Sequence, residues 1–380
     1  MARVGSGSGG RADVIVVGAG LAGLTTALEL ADRGAGVLLL ADVRRGEASP
    51  AAAGALAPEI DPPAGAAAVL ARRARDEYPD YVAGLVARTG IDVPLNREGV
   101  LEAAETPEDA DRLRGGERPG AEWLDAASLA ELEPALAHLA GAWLHPRDGA
   151  VNNLVLIRAL KHALARSPRV RIVADAAEEI SVRLGFARIR TRGGQRLEAQ
   201  RAVLATGAWA AELAGLPRPL PVEPVRGQMM SVASRALRHV VVAAGGLAVP
   251  RADGRTLVGS TFERVGFDAA HSEAGEAAVR AIATRISPVL AGAQRLSVWA
   301  GLRPMTPDRQ PIVGADPQWP ALVYACGHSR NGVLLAPITG RAAAALALGQ
   351  APGLDLTPYR VERFSLAGAG QLASDQLKPA

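Results

Sequence analysis

Three glycines near the N-terminus carry the clearest chemical signal in this 380-residue sequence. Gly18, Gly20 and Gly23 follow an aliphatic run at 14–17, with Ala19 between the first two. Glycines at this spacing permit a tight turn, let backbone N–H groups approach a pyrophosphate, and let the next helix pack closely on the strand. Phosphate is also favoured at the N-terminus of that helix. The pattern therefore predicts a dinucleotide-binding turn.

Context decides which glycine pattern matters. Residues 5–10 also match GxGxxG but neither follow a strand nor open a helix, so we expect flexible termini at 1–10 and 365–380. After Gly23, by contrast, apolar residues recur with helical spacing, and a second aliphatic run at 37–40 completes a strand–helix–strand unit. The alternative is a glycine-rich turn in an α/β domain that binds no nucleotide.

Other segments are predicted to end at the same edge of the sheet. Asp42 follows the second strand, near the usual place for an acid that binds an adenosine ribose, although the usual register puts that acid at Ala41. Asp42 therefore either binds the ribose or faces solvent. The small residues at 51–54 could let a flat, rigid ligand approach the backbone. Thr206 and Gly207 end another aliphatic strand and form either a second wall of the site or a plain strand-to-helix turn.

The composition excludes several classes of function. The 42 basic and 39 acidic residues give a net charge of +3, and only two of the basic residues are lysines. A small excess of arginine raises the pI, so we expect neither nucleic acid nor membrane as a partner. A single cysteine, Cys326, excludes an internal disulfide framework, and the six histidines lack metal-ligand spacing, so we expect no metal site. The first apolar run is too short to span a bilayer, which predicts a soluble cytoplasmic protein.

The order of the remaining elements predicts an α/β fold in which a second domain is inserted into the first. The proline-rich segment at 217–224 marks a boundary, and the strands beyond it indicate a mostly antiparallel sheet. We predict a Rossmann-type nucleotide domain that is discontinuous in sequence, and a substrate domain of α+β type built on that antiparallel sheet. The nucleotide domain comprises 11–80, 151–217 and 299–364, and the substrate domain comprises 81–150 and 218–298.

Two motifs near the C-terminus carry a resemblance to a known family. They are WAGLRPMTPD at 299–308 and YACGHSRNGVLLAP at 324–337. Together with the segments at 14–20, 46–58, 224–229, 249–251 and 258–261, they make the chain resemble the FAD-dependent amine oxidases of the D-amino acid oxidase superfamily. Within it, the chain is most similar to the glycine oxidases of thiamine biosynthesis. The resemblance covers most of residues 12–364.

The resemblance implies a flavoprotein with FAD as its cofactor, which oxidises a primary or secondary amino acid to an imine. Water would hydrolyse the imine to an oxo acid and ammonia or amine, and molecular oxygen would be reduced to hydrogen peroxide. Much of this chemistry belongs to the cofactor. The absence of an obvious acid–base pair or nucleophilic dyad agrees with that division. The resemblance also suggests a homo-oligomer.

By the same resemblance, Arg303 and Arg330 are the substrate carboxylate anchors, since a guanidinium can hold a carboxylate through two parallel hydrogen bonds. The substrate pocket is assigned to Leu247, Phe262 and Ser329. The cofactor-binding residues are assigned as Gly18, Ala19, Gly20, Gly23, Asp42, Arg44, Ala48, Ser49, Ala52, Ala53, Gly54, Thr206, Gly207, Gly301, Gly327, His328, Arg330, Asn331, Gly332, Val333 and Leu334.

Two residues in the second motif have more than one possible role. His328 is interpreted as a structural hydrogen-bonding group, with a catalytic base as the alternative. Cys326 is interpreted as a small buried thiol, with a covalent flavin link as the alternative. Backbone amides near 331–333, at the start of a helix, could stabilise the anionic reduced cofactor.

Departures from the family pattern put the substrate in question. Leu247 stands where glycine oxidases tend to have an aromatic residue, Ser329 where Tyr or Phe is usual, and Ala55 where Met is common. These changes imply a roomier, less polar pocket than one shaped for glycine. The hypotheses are thus a small amino acid such as glycine or sarcosine, or a bulkier cyclic or N-alkyl amino acid of secondary metabolism. An electron acceptor other than oxygen, and a non-catalytic flavin-binding sensor, are further alternatives.

Overall fold

A computed structural model describes residues 12–60 and 65–364, so the predictions made for 1–10 and 365–380 lie outside the described residues. The α-helices of the described residues are α1 (Leu21–Asp32), α2 (Ala48–Ala51), α3 (Ala66–Thr89), α4 (Pro107–Arg114), α5 (Ala126–Leu132), α6 (Asn153–Ala165), α7 (Glu273–Ile286), α8 (Pro288–Gly292) and α9 (Gly332–Ala347). Short 3₁₀ turns lie at Pro134–Leu136, Gly207–Glu212, Thr357–Tyr359 and Val361–Arg363.

The strands of the described residues form three sheets. They are β1 (Ala12–Val17), β2 (Val37–Leu40), β3 (Ala55–Leu56), β4 (Leu95–Asn96), β5 (Val100–Ala104), β6 (Glu122–Asp125), β7 (Gly141–His145), β8 (Gly149–Val151), β9 (Val170–Val173), β10 (Ala177–Arg183), β11 (Phe186–Thr191), β12 (Arg196–Leu204), β13 (Glu223–Ala233), β14 (Val240–Ala243), β15 (Gly246–Pro250), β16 (Arg255–Gly259), β17 (Arg295–Met305), β18 (Ile312–Ala315) and β19 (Leu322–Cys326).

The first sheet has a parallel centre. Its strand order is β10-β11-β12-β1-β2-β9, and β19 pairs with the second half of β12. The β1 strand runs parallel to both β2 and β12, and β12 runs parallel to β19. Because the carboxyl ends of parallel strands meet at one edge, the turns after β1, β2, β12 and β19 lie together there. The predicted Rossmann-type arrangement is confirmed.

Helices α1 and α9 cover one face of this sheet and touch each other closely. A Cβ on Gly340 of α9 would lie 2.6 Å from the Thr25 hydroxyl of α1, and that hydroxyl donates to the Ala336 carbonyl at 2.9 Å. Pro337 has no N–H, so the carbonyl four residues earlier, at Val333, lacks its helical donor. The buried hydroxyl of Tyr78 on α3 donates to that carbonyl at 2.9 Å.

The second sheet has the order β17-β13-β16-β15-β14-β5-β7-β6. Among the described residues of this sheet, the β14–β5 pairing alone is parallel, so the prediction of a mostly antiparallel sheet is confirmed. Strands β3, β8 and β4 form a small third sheet. The strands of the first sheet all fall in the segments assigned to the nucleotide domain, while β17 crosses the boundary set at residue 299. The division into domains stays a prediction.

A buried charge cluster fixes α3 against the third sheet. Arg75 is 5% exposed and donates to Asp148 at 2.7 Å and to Glu59 at 3.1 Å. Burial raises the pKa of the Asp148 carboxyl in spite of the neighbouring arginine. Replacing Arg75 would leave these acids without their buried partner, and breaking such a pair costs more than the pair contributes.

We therefore expect Arg75→Met to lower the free energy of unfolding by about 3–5 kcal/mol, measured by urea denaturation of the full chain. The matched control is Arg73→Met on the same helix. Arg73 is an exposed residue that pairs with Glu77 four positions on, and it should cost less than about 1 kcal/mol. Equal losses in the two variants would show that burial of the cluster is unimportant.

Candidate active site

The predicted turn after β1 has a geometry that only glycine allows. Gly18 has φ +106°, and a Cβ there would lie 2.4 Å from the Ala205 carbonyl oxygen. A Cβ on Gly23 would lie 1.8 Å from the Gly18 carbonyl oxygen, so α1 packs directly on the turn. The Leu21 N–H donates to the Ser49 hydroxyl at 2.9 Å. The other first-turn amides of α1 have no intrahelical acceptor and can bind an anion.

The segment at 48–54 lies beside this turn. A Cβ on Gly20 would lie 3.1 Å from the Ser49 hydroxyl oxygen. Gly54 has φ +76°, and a Cβ on it would lie 2.1 Å from the Val151 carbonyl oxygen, so no side chain fits there. Ala53 is buried, and Ala48 belongs to the short helix α2. Ala19 and Ala52 are partly buried and pack against the main hydrophobic core.

Strand β17 packs against α2 and the residues just before it. Gly301 packs so tightly on α2 that a Cβ would lie 2.4 Å from the Ala51 methyl carbon. The Trp299 indole N–H donates to the Ala51 carbonyl, and the Leu302 N–H donates to the Gly46 carbonyl at 2.8 Å. These contacts join the segment at 46–51 to the strand that carries Arg303.

Thr206 follows β12 next to the glycine turn. The Ala205 N–H donates to the Val17 carbonyl at 2.8 Å, which places Thr206 beside Gly18. The Thr206 hydroxyl oxygen is enclosed and has no hydrogen-bond partner among the described residues. Gly207 has φ +57°, so the chain turns sharply into the 3₁₀ turn that follows.

Asp42 is held by a neighbour rather than left to solvent. Its Oδ2 accepts a hydrogen bond from the Arg44 Nε at 2.7 Å, and both side chains are about a quarter exposed. The Arg44 guanidinium lies 5.3 Å from the centre of the Trp209 ring, and that ring stacks on Phe267 at 5.9 Å. The second carboxylate oxygen of Asp42 retains acceptor capacity toward a ribose.

The loop from β19 to α9 meets β17. Gly327 has φ +69°, and a Cβ there would lie 2.7 Å from the Thr306 methyl carbon. The Ser329 N–H donates to the Pro304 carbonyl at 2.9 Å. Asn331 is the residue before α9, and its carbonyl accepts from the fourth helical residue, so the amides of Gly332, Val333 and Leu334 lack intrahelical acceptors. This helix start favours negative charge.

The two residues with alternative roles in this loop are both buried. Cys326 is 1% exposed, and burial raises the pKa of its thiol to about 12. His328 is 4% exposed, its Nε2 forms a hydrogen bond with the Thr339 hydroxyl at 3.1 Å, and burial lowers its pKa to about 4. The imidazole is therefore neutral at ordinary pH and too weak a base to take a proton efficiently, which favours its structural role.

His328 should make the protein sensitive to acid. An unfolded histidine has a pKa of about 6.5, so between about pH 6.5 and pH 4 the unfolded chain binds a proton that the folded chain does not. The free energy of unfolding then falls as the pH drops through this window, by roughly 3 kcal/mol in total. We expect His328→Gln to remove most of this loss, as measured by urea denaturation between pH 7 and pH 4.

The control for this experiment is His271→Gln, because His271 is an exposed histidine. It should retain the full acid sensitivity of the wild type. If His328→Gln loses stability with falling pH as steeply as His271→Gln does, His328 is already protonated in the folded protein and the assignment is wrong.

Arg303 is a partly exposed cation at the meeting point of these segments. It donates from Nη1 to the Thr261 carbonyl at 3.1 Å and from Nη2 to the Ser260 hydroxyl. Among the described residues, no carboxylate forms an ion pair with it. Burial, and secondarily the positive charge of Arg330, lowers its pKa to about 10. Arg303 is thus charged at neutral pH and retains N–H donors for an incoming anion.

Arg330 follows Ser329 and is exposed. Because its charge acts on Arg303, the two predicted anchors lie close enough to repel each other electrostatically. A carboxylate placed between two cations would relieve that repulsion. The structure therefore brings the two predicted carboxylate anchors close together, and Arg303 lies on the strand that packs against the segment at 46–51.

Comparison with known proteins agrees with this geometry. Residues 13–346 match the family model described as DAO, FAD dependent oxidoreductase. The chain belongs to this family. Glycine oxidase of Geobacillus kaustophilus is 34% identical over 93% of this chain and 97% of its own length. The crystal structure of that organism's glycine oxidase has a TM-score of 0.86 and 34% identity, covering 93% of this chain and 99% of the other.

A longer relative shares the same region. The bifunctional protein ThiO/ThiG of Nostoc sp. is 35% identical over 89% of this chain, but only 53% of that protein is matched. The chain therefore spans about half the length of the bifunctional relatives.

FAD is the cofactor of this family, and the residues present fit it. The turn at 18–23 would hold the pyrophosphate at the start of α1, because a backbone cradle without Cβ atoms leaves room for phosphate oxygens. Asp42 and Arg44 follow β2 at the same edge of the sheet, and their assignment to the adenosine stays a prediction. The loop at 327–334 and the start of α9 would lie along the flavin.

The three predicted pocket residues differ in their placement. Leu247 on β15 pairs with Gly259 and is partly buried next to a small apolar cluster. Phe262 is 49% exposed and lies under the Arg264 guanidinium, at 5.5 Å from it. Ser329 has φ +50° and is buried, and its hydroxyl lies 3.5 Å from both the Gly327 carbonyl and the Thr306 N–H. Its side chain is thus directed to backbone groups of the loop. The assignment of these residues stays a prediction.

The sequence did not reveal Arg251. It is largely buried, and it donates to the Val151 and Ala53 carbonyls and to the Asn153 side chain, each within 2.9 Å. Burial lowers its pKa to about 10. Arg251 thus ties the 48–54 segment to the third sheet. Arg251 belongs to the segment at 249–251 that contributes to the family resemblance. The residues around it in the sequence do not indicate which distant groups its long side chain contacts.

No helix in 12–60 or 65–364 combines the length and hydropathy needed to cross a bilayer. Within these ranges, no three His, Cys, Asp or Glu side chains are grouped in a way that could hold a metal ion.

Proposed function

We propose that the protein catalyses the FAD-dependent oxidation of glycine or another small primary or secondary amino acid. The products are the oxo acid, ammonia or an amine, and hydrogen peroxide. The names of the glycine oxidase relatives support this class of substrate. When bound, FAD supplies the acceptance of two electrons that converts the amine to an imine.

The observation that carries the proposal is Arg303. A partly exposed guanidinium that is fixed by two hydrogen bonds, yet has no carboxylate partner among the described residues, is a ready anion site. Planar guanidinium geometry suits a carboxylate held through two parallel bonds. A substrate held this way has its Cα–H bond fixed in direction, and such orientation can account for much of the rate gain.

The remaining side chains support binding rather than proton transfer. His328 is neutral and enclosed in the loop before α9, and its imidazole forms a hydrogen bond with Thr339 on α9. The start of α9 favours negative charge that develops next to it. The role assigned to the protein is to hold the carboxylate, orient the substrate and exclude water.

The test is anaerobic mixing of the FAD-loaded protein with a panel of amines, including glycine, sarcosine, proline and N-alkyl amino acids. We expect small amino acids to bleach the visible absorption of the cofactor, whereas amines without a carboxylate should not. In air, the same substrates should consume oxygen and release an equal amount of peroxide. Bleaching without peroxide would identify a dehydrogenase, and no bleaching by any amine would favour the flavin-binding sensor.

A second candidate is oxidation of a bulkier cyclic or N-alkyl amino acid. Ser329 favours it, because a serine is smaller than the Tyr or Phe that is usual at this place in glycine oxidases, and its hydroxyl is directed to the Thr306 N–H and the Gly327 carbonyl. Activity confined to proline and the larger N-alkyl members of the panel would support this reading against glycine.

A further inference from the structure

The guanidinium of Arg303 lies directly over a glycine of the neighbouring strand. In the register of β13 and β17, Val225 pairs with Arg303 and Gly227 is its diagonal neighbour on the same face. A Cβ on Gly227 would lie 2.4 Å from both Nη1 and Nη2, and 2.6 Å from Cζ. Any side chain at residue 227 would therefore occupy the space of the guanidinium.

Two hydrogen bonds with the residues that follow β16 also fix the Arg303 guanidinium. Ser260 accepts a hydrogen bond from Nη2 through its hydroxyl, and the Thr261 carbonyl accepts one from Nη1. With one acceptor on each terminal nitrogen, the plane of the guanidinium is fixed. The remaining N–H groups point away from these acceptors because the donors of arginine form a rigid fork.

The segment that carries these acceptors is itself fixed. The Glu263 carboxylate accepts from the Thr261 hydroxyl and from the Gln228 amide at 2.8 Å, and it pairs with the buried Arg226. These contacts lower the pKa of Glu263, although its partial burial acts in the opposite direction. Glu263 stays charged and bound to Arg226, so its carboxylate does not compete with a substrate for Arg303.

We propose that Gly227 and Ser260 are positioning residues that set the orientation of the Arg303 guanidinium toward the substrate carboxylate. Gly227 provides the space in which the guanidinium lies, and Ser260 fixes its rotation. The inference rests on the proposed function, since it requires Arg303 to bind a carboxylate. It implies that carboxylate affinity depends on two residues that do not touch the substrate.

The probe is acetate, titrated into the FAD-loaded protein and followed by the change in visible absorption of the cofactor, with uncharged acetamide for comparison. We expect Gly227→Ala to weaken acetate binding at least about tenfold, since the methyl group displaces the guanidinium. Ser260→Ala should weaken it about tenfold, because it removes a hydrogen bond to a charged group. Ser260→Thr, which keeps the hydroxyl, should remain close to the wild type.

A double-mutant cycle separates positioning from general damage. In the Arg303→Met background, neither Gly227→Ala nor Ser260→Ala should weaken acetate binding further. Matched controls are Gly84→Ala, at an exposed helical glycine with open space around it, and Ser231→Ala, whose hydroxyl bonds to Ser297 on the same sheet. Both controls should bind acetate as the wild type does.

The outcomes distinguish the two proposals. If Arg303→Met binds acetate as well as the wild type, the carboxylate anchor and the proposed function fail. If Arg303→Met loses acetate while Ser260→Ala and Gly227→Ala bind it normally, only the positioning proposal is overturned. It is also overturned if the two substitutions weaken binding equally with and without Arg303. Should Gly227→Ala fail to fold, the Ser260 pair of variants decides alone.

Discussion

Arg303→Met is expected to raise the substrate concentration for half-maximal turnover by roughly 30- to 5,000-fold. That range corresponds to the loss of about 2–5 kcal/mol when one partner of a desolvated charge pair is removed. Methionine retains most of the aliphatic stem but does not replace the guanidinium that lies over Gly227. FAD content should be unchanged, since the contacts of Arg303 are to Ser260 and Thr261 rather than to the glycine turn. Steady-state kinetics and the absorption spectrum of the purified protein give both values.

The control for this prediction is Arg264→Met. Arg264 pairs with Glu223 at 3.2 Å and covers Phe262, and its side chain is 45% exposed. We expect its removal to change the apparent substrate constant by less than about twofold, because an exposed pair contributes under 1 kcal/mol. Arg303→Lys should restore only part of the affinity that Arg303→Met loses, since an ammonium cannot form two parallel bonds. Loss of FAD in Arg303→Met would instead show a structural role.

The glycine turn was predictable from the sequence because its requirements are local. Gly18 and Gly23 are required within one turn. A Cβ on Gly18 would collide with the Ala205 carbonyl oxygen, and a Cβ on Gly23 would collide with the Gly18 carbonyl oxygen. The start of α9 is likewise defined by consecutive residues. For such features, residue type and spacing alone limit the possible conformations. The β–α–β order then places the turns at one edge of the sheet.

The rest of the site depends on contacts between distant residues. Arg44 stacks on Trp209, 165 positions later, and nothing around either residue indicates the pairing. Gly227 matters only because β13 and β17 pair in one particular register. The outward position of Phe262 depends equally on packing, and the neighbours of a residue in the sequence do not determine it. The contacts of long side chains and the register of paired strands are therefore the parts of the site that the sequence alone does not determine.

Gly23→Ala should test whether the turn is the FAD site. The added methyl carbon would lie 1.8 Å from the Gly18 carbonyl oxygen, a backbone atom that cannot move aside alone. Helix α1 must then shift away from the turn, and its free amides move with it. Overpacking of this kind costs about 1–3 kcal/mol, which corresponds to roughly 5- to 150-fold weaker FAD binding. Titration of FAD into the apoprotein, followed by flavin fluorescence, measures the affinity.

Two control variants test whether the loss of FAD affinity is specific to Gly23. Gly10→Ala changes the last glycine of the GxGxxG match at 5–10, which the sequence predicts to lie outside a strand–helix unit, and it should leave FAD affinity unchanged. Gly84→Ala adds a methyl group in open space on α3 and should do the same. If Gly10→Ala weakens FAD binding as much as Gly23→Ala does, the context argument is wrong. If Gly23→Ala binds FAD as the wild type does, close packing of α1 on the turn is not what holds the pyrophosphate, and the loop at 327–334 and the start of α9 must account for the affinity.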